Sequence, residues 1–166
     1  ITQDVEVSAL QVFRATINER SPEIRVSVTH LLIKALGVAM AELPTTNRIW
    51  VDDKILAFNQ VDIGMVTETT DGLRVPIIRD AGRRTLEEVA IDARVLASRA
   101  QDDSLTQKEV GGGSVSISNV GMFGASSLIP IINPPQAMIL GVGSEQALFR
   151  PDEAGHPFLH KEICLT

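Results

Sequence analysis

A single cysteine, Cys164, stands in these 166 residues, so no internal disulfide can brace the fold and a reducing compartment is expected. Basic residues are few as well: 15 Lys and Arg against 21 Asp and Glu give a net charge of −6. That balance is a poor footprint for gripping phosphate backbones, which sets nucleic acid aside as a partner. No apolar run reaches the roughly 20 residues that cross a bilayer. The opening "ITQDVEVSAL" has neither a basic n-region nor an apolar h-region. A soluble, unexported chain is the expectation. Tyrosine is absent and Trp50 is the one tryptophan.

Several nucleotide and hydrolase signatures are also lacking. "GVGSEQA" offers Gly141 and Gly143 without the third glycine of a dinucleotide fingerprint, and no phosphate loop ends in Gly-Lys-Ser/Thr. There is no Gly-x-Ser-x-Gly elbow. His156, His160 and Cys164 recur every four residues, but along a strand that spacing spans about 13 Å, too far for one ion. The expected reading is two surface histidines and a half-buried thiol. His30, at the start of an apolar helix, reads as a structural histidine.

What is present suffices for one domain, since 44% hydrophobic residues can bury a single core in a chain of this size. Helices and strands alternate in the pattern of an α/β fold. "SALQVFRATINER" pairs Ser8 with Gln11 at capping-box spacing and sets Leu10, Phe13 and Ile17 on one face, predicting a helix with Arg14 off the apolar stripe. A second helix is expected over 29–43, buried through Leu32, Leu36, Ala39 and Leu43 and stopped by Pro44. Val61, Ile63 and Met65 face Leu73, Val75 and Ile77 across Asp71-Gly72, an antiparallel hairpin with Pro76 marking an edge or bulge. Thr85 and Glu88 cap a third helix ending near Ala100, with Leu86, Val89, Ala93, Leu96 and Ala97 inward. The run Ala137 to Val142 suits a strand buried on both faces, after a loop at Pro134-Pro135. "TQDVEV" and "PFLHKEICLT" read as strands that begin and stop abruptly, so the 166 residues are expected to be one domain cut at both ends.

Between the third helix and that strand lies "GGGSVSISNVGMFG", Gly111 to Gly124, where a short alternating segment gives way to a glycine-rich turn. Followed by "IINPPQAMILGVG", it closely resembles the catalytic core of the dihydrolipoamide acyltransferases, the E2 components of 2-oxo acid dehydrogenase complexes. The resemblance extends to "VSVTHLLIKALGVAMAELP", "VDIGMVTETTDGLRVPIIRDA" and "GRRTLEEVA", in family order over nearly the whole chain. Ser-Asn-x-Gly-Met-Phe-Gly and Ile-Asn-Pro-Pro-Gln look most like the acetyl-transferring, pyruvate-type branch.

The resemblance implies a chloramphenicol-acetyltransferase-like fold, a mixed sheet with packed helices, in trimers that build a cubic or icosahedral core of 24 or 60 copies. It implies acetyl transfer from a dihydrolipoyl arm, carried by a separate lipoyl domain, to coenzyme A. The active site would lie between two subunits, with the E1 and E3 components as further partners. Ser118 matches the family serine that stabilises the oxyanion. Coenzyme A contacts carry over to Arg14, Ser27, Glu68, Ser118, Asn119 and Gly143, the last through its backbone. Taken singly, each has an ordinary role: Arg14 and Glu68 as surface charges, Ser27 as a cap, Gly143 as a turn, Ser118-Asn119 as a strand end. The family's base motif, Asp-His-Arg-x-x-Asp-Gly or Asn, follows a strand like "KEICLT", and none of His30, His156 or His160 stands in it. Without that base the 166 residues are expected to lack efficient transfer, since a thiol of pKa about 8.5 is only a few per cent ionised at neutral pH. A silent scaffold subunit, or a coenzyme A-dependent acyltransferase with another donor, is the alternative class. Bacterial cytoplasm and mitochondrial matrix are both consistent with the family.

Overall fold

The structure is a computed structural model that describes residues 1–166. In chain order its elements are β1 (Gln3–Glu6), α1 (Ser8–Arg20), α2 (Val28–Glu42), β2 (Arg48–Val51), β3 (Lys54–Ala57), β4 (Ile63–Met65), β5 (Thr67–Thr69), β6 (Gly72–Arg74), β7 (Ile77–Ile78), α3 (Leu86–Gln101), α4 (Gln107–Val110), β8 (Val115–Asn119), β9 (Met138–Val142), β10 (Gln146–Pro151) and β11 (Pro157–Leu165). The main sheet runs β1-β11-β9-β8-β4-β7, with β10 paired to β11 outside that path. Strands β4, β8 and β9 are parallel at its centre, and the flanking pairs are antiparallel. It is therefore the mixed sheet expected.

Strand registers assign the two faces of the centre. Ile63 and Met65 stand beside Val115 and Ile117, which stand beside Met138 and Leu140. These residues share one apolar cluster with Ile33 and Met40 of α2 and Val89, Ala93 and Leu96 of α3. Helices thus cover that face. The other face carries Gly64, Ser116, Ser118 and Gly141 beside Ile77 and Ile139, and its small residues let the chain pack closely from outside. A Cβ on Gly141 would lie 3.0 Å from Pro130 and 3.1 Å from the Leu128 carbonyl.

Local expectations were met unevenly. Thr85 and Glu88 form the reciprocal cap of α3, which runs to Gln101 with Val89, Ala93 and Leu96 buried. The hairpin around Asp71-Gly72 divides in two: β5 and β6 form the outer ribbon, while β4 pairs with β7 at the sheet edge, where Pro76 accepts a hydrogen bond from the Met65 N–H at 2.8 Å. At α1 the capping box does not form. Ser8 is already helical, its N–H donating to Glu6 Oε1 at 2.7 Å, and the Gln11 side chain turns to Glu145. The apolar face of that helix is also shallower than expected, with Phe13 54% exposed.

In α2 the burial phase is shifted. The deeply buried residues are His30, Leu31, Ile33, Gly37 and Met40, whereas Leu32 and Leu36 are half-buried and Ala39 and Leu43 exposed. Gly37 explains part of this, because a Cβ there would meet the Ala81 and Gly82 backbone at 2.8 Å. The closest approach of helix to loop, and not the densest leucine stripe, sets which side turns inward.

Candidate active site

A cavity of about 800 Å³ opens beyond the carboxyl ends of β4, β8 and β9. Ligands in open α/β sheets bind at this edge, where strands give way to loops and helix N-termini point inward. Its walls come from the start of α2, the middle of α3, the β4–β5 connection, the end of β8 with the turn at 121–123, and the end of β9.

Ser118 reaches it from the end of β8, where the strand is anchored from both directions. Upstream, Arg79 donates to Asp62 Oδ2 at 2.8 Å and to the carbonyls of Lys108 and Gly111 at 2.6 Å each, which fixes the glycine run entering the strand. Gly113 has φ +73° and passes so near Asp62 that a Cβ would come 2.6 Å from its carbonyl. Downstream, Asn119 Oδ1 accepts the Gly121 N–H at 2.8 Å and Asn119 Nδ2 donates to Thr29 Oγ1 at 2.9 Å. The turn after β8 is therefore tied to the first turn of α2.

Three serines alternate along this segment with different fates. Ser114 Oγ donates to Asn47 Oδ1 at 2.6 Å, Ser116 Oγ donates to Gln136 Oε1, and both residues are wholly buried. Ser118 is half-buried and its hydroxyl has no hydrogen-bond partner in the chain. No side-chain oxygen or nitrogen is both sealed and unpartnered, so Ser118 Oγ is open to solvent. It borders the cavity with a donor free to meet a ligand oxygen.

Five of the six expected site residues line this cavity: Ser27, Glu68, Ser118, Asn119 and Gly143. Arg14 does not; its Nε donates at 2.9 Å to Gln11 Oε1, and Gln11 is the residue that reaches the wall. Ser27 caps α2, its Oγ accepting the His30 N–H at 3.2 Å, which leaves the hydroxyl hydrogen for a ligand. Asn119 has its amide engaged with Thr29 and Gly121, so it positions the turn. The Gly143 N–H already donates to the Cys164 carbonyl at 2.9 Å, and its carbonyl packs against Gly121, where a Cβ would come within 2.7 Å of it. A Cβ there would overlap the Ser126 carbonyl, so only glycine fits.

Sequence reasoning missed Arg94 and His30 as wall residues. Arg94, on α3, also donates to the Glu23 carbonyl at 3.0 Å. His30 completes a reciprocal cap, Nδ1 accepting the Ser27 N–H at 3.2 Å, where the usual pattern has Glu or Gln. Burial, and after it the positive charge of Arg94, lowers its pKa from 6.5 to about 4. A neutral ring that titrates so low makes a weak base at neutral pH. His156 and His160 are not among the wall residues; His156 lies before β11 and His160 within it.

The mixed sheet with helices on one face is a fold of the chloramphenicol acetyltransferase kind. A solved chloramphenicol acetyltransferase superposes with a TM-score of 0.54 at 17% identity, over 99% of this chain and 76% of that one. Residues 1–156 match the family described as 2-oxoacid dehydrogenases acyltransferase (catalytic domain), and the chain belongs to that family. The acetyltransferase component of the Zymomonas mobilis pyruvate dehydrogenase complex is 38% identical, over 87% of this chain and 33% of that protein. The mouse mitochondrial pyruvate dehydrogenase protein X component is also 38% identical, over 99% and 33%. Solved structures of the Azotobacter vinelandii dihydrolipoamide acetyltransferase and of the cubic core of a pyruvate dehydrogenase multienzyme complex each give a TM-score of 0.91 at 27% identity, over 99% of this chain and 70% of theirs. The chain spans about a third of the length of the curated relatives it matches.

Proposed function

We propose that this chain is the acyl-transferring core of a dihydrolipoamide acetyltransferase, moving an acetyl group from acetyl-dihydrolipoamide to coenzyme A in a pyruvate dehydrogenase complex. The observation that carries the reading is Ser118: a hydroxyl with no partner of its own, held at a cavity by a strand anchored from both directions. When the coenzyme A sulfur attacks the thioester carbon, the carbonyl oxygen gains negative charge. A donor already in place stabilises that charge more than it stabilises the neutral thioester. Ser118 Oγ–H is that donor.

Ser27, at the positive end of α2, and Glu68, on β5, offer polar contacts to the coenzyme. Arg14 stands behind Gln11, to which it donates, and acts on the cavity only through that residue. Asn119 and Gly143 shape the wall. His30 is not assigned as the proton acceptor for the thiol, because a ring that titrates near 4 is too weak a base at neutral pH, and His156 and His160 do not line the cavity. In this reading three copies share their active sites, the trimers build a cubic or icosahedral core, and E1, E3 and a lipoyl domain dock to the assembly. Bacterial cytoplasm or mitochondrial matrix would be its location.

A second reading is a silent scaffold subunit, favoured by the 38% identity to a protein X component. One assay separates them: acetyl transfer from acetyl-dihydrolipoamide to coenzyme A by the full-length protein. Turnover that falls about a hundredfold to a thousandfold in Ser118→Ala supports the enzyme and the role of the serine. Turnover unaffected by Ser118→Ala removes that role. A full-length protein that assembles but has no turnover is the scaffold.

A further inference from the structure

His30 has a role beyond closing the first turn of α2. In a neutral imidazole one nitrogen accepts and the other donates. Nδ1 accepts the Ser27 N–H, so the ring hydrogen is carried by Nε2. Nε2 has no partner in the chain, and no side-chain nitrogen is both sealed and unpartnered, so it opens onto space. The space that His30 borders is the cavity. Otherwise the residue is enclosed, with only 7% of its surface exposed. One fixed N–H therefore points out of a buried ring, and a donor so placed is completed by a ligand oxygen.

The neutral state of the ring selects which oxygen. A phosphate is served better by a permanent cation, and Arg94 stands on the same wall. An uncharged donor on a wall that Val28, Ala93 and Ala97 also line matches an uncharged carbonyl. Both arms that meet in the proposed reaction carry their sulfur on a chain that includes secondary amides: the pantetheine part of coenzyme A and the lipoyl-lysine linkage.

We infer that His30 contacts substrate: its Nε2–H donates to an amide carbonyl of a thiol-bearing arm and anchors that arm in the cavity that Ser118 also lines. The inference rests on the acyltransfer reading and adds a residue to it.

The test follows the His30 Nε2 resonance in the full-length protein labelled with ¹⁵N-histidine, with coenzyme A, pantetheine, dihydrolipoamide and 3′,5′-ADP added separately. Pantetheine or dihydrolipoamide moves the resonance and slows exchange of its proton with water, and the one that does so is the arm held. The bisphosphate nucleotide leaves it in place. Kinetically, His30→Leu raises KM for that arm about tenfold with a smaller change in kcat, and His30→Gln, which keeps both an acceptor and an N–H donor, restores most of it. Binding of both arms with no change at Nε2, or a shift caused by 3′,5′-ADP alone, overturns the inference and leaves the acyltransfer reading standing. Failure of coenzyme A to bind the unmutated protein overturns both.

Discussion

The two ends of β8 use the same residue type in opposite ways. At its entry Ser114 and Ser116 are wholly buried, each donating to a side-chain amide brought from another segment, Asn47 and Gln136. At its exit Ser118, on the same face as Ser116, is half-buried with no partner. A buried hydroxyl that has found its acceptor contributes to stability, while one left open contributes to recognition. Distant segments decide which serines along a single strand are paired and which stays open.

The comparison breaks most visibly at Ser118. Ser118→Ala is expected to reduce kcat for acetyl transfer about 100- to 1000-fold, equivalent to roughly 2.7–4 kcal/mol of barrier. Its urea midpoint should barely move, because no internal hydrogen bond is lost, and surface-type changes stay within about 0.5 kcal/mol. A large fall in midpoint would mean that the exit serine is structural after all. Ser116→Ala is the mirror experiment. It leaves Gln136 Oε1 without its donor and should cost about 1–3 kcal/mol in denaturant unfolding, while turnover per folded molecule changes only a few-fold.

His30 joins both behaviours in one ring, with Nδ1 engaged and Nε2 open. Its pKa is near 4 folded against an ordinary 6.5, so between those values the unfolded chain binds more protons. Its contribution to stability is complete above pH 6.5 and is lost as pH falls toward 4. After allowance for solvent screening the loss should be about 2 kcal/mol. Unfolding of the parent and of His30→Gln across that window measures it, and the variant should lack this part of the slope. The smallest effect belongs to a site distant from the question. Thr85→Ala removes the reciprocal cap of α3 and should lower stability by about 1 kcal/mol without altering either KM.

Much of the fold was legible because it is written in short-range patterns. The Thr85–Glu88 cap, the Asp71-Gly72 reversal, the strand at 138–142 and the strand at 157–165 all depend on neighbours within a few residues. The phase of α2 was not legible, since that helix is apolar around much of its circumference and several stripes satisfy a 3.6-residue period. The Ser8–Gln11 cap failed because Glu6 took the Ser8 N–H and Glu145, far along the chain, took the Gln11 side chain. His30 was read from the sequence as a structural histidine, and it is one in closing the cap of α2; its place on the cavity wall was not legible, because that wall is built by segments far apart in the chain.

The candidate site divides similarly. Ser118, Ser27, Glu68, Asn119 and Gly143 were found through resemblance, and the structure brings them to one cavity. It alone distributes the roles, engaging the Asn119 amide and the Gly143 N–H within the fold and placing Arg14 behind Gln11. The Thr85–Glu88 cap, the Asp71-Gly72 turn and the strands at 138–142 and 157–165 came from the amino-acid order by itself, because each is decided by backbone and side-chain geometry over a few residues. Which hydroxyl and which ring nitrogen stay unpaired was decided only in three dimensions. Each pairing joins residues far apart in the chain, as with Ser114 and Asn47, and a donor stays free only where folding brings it no acceptor.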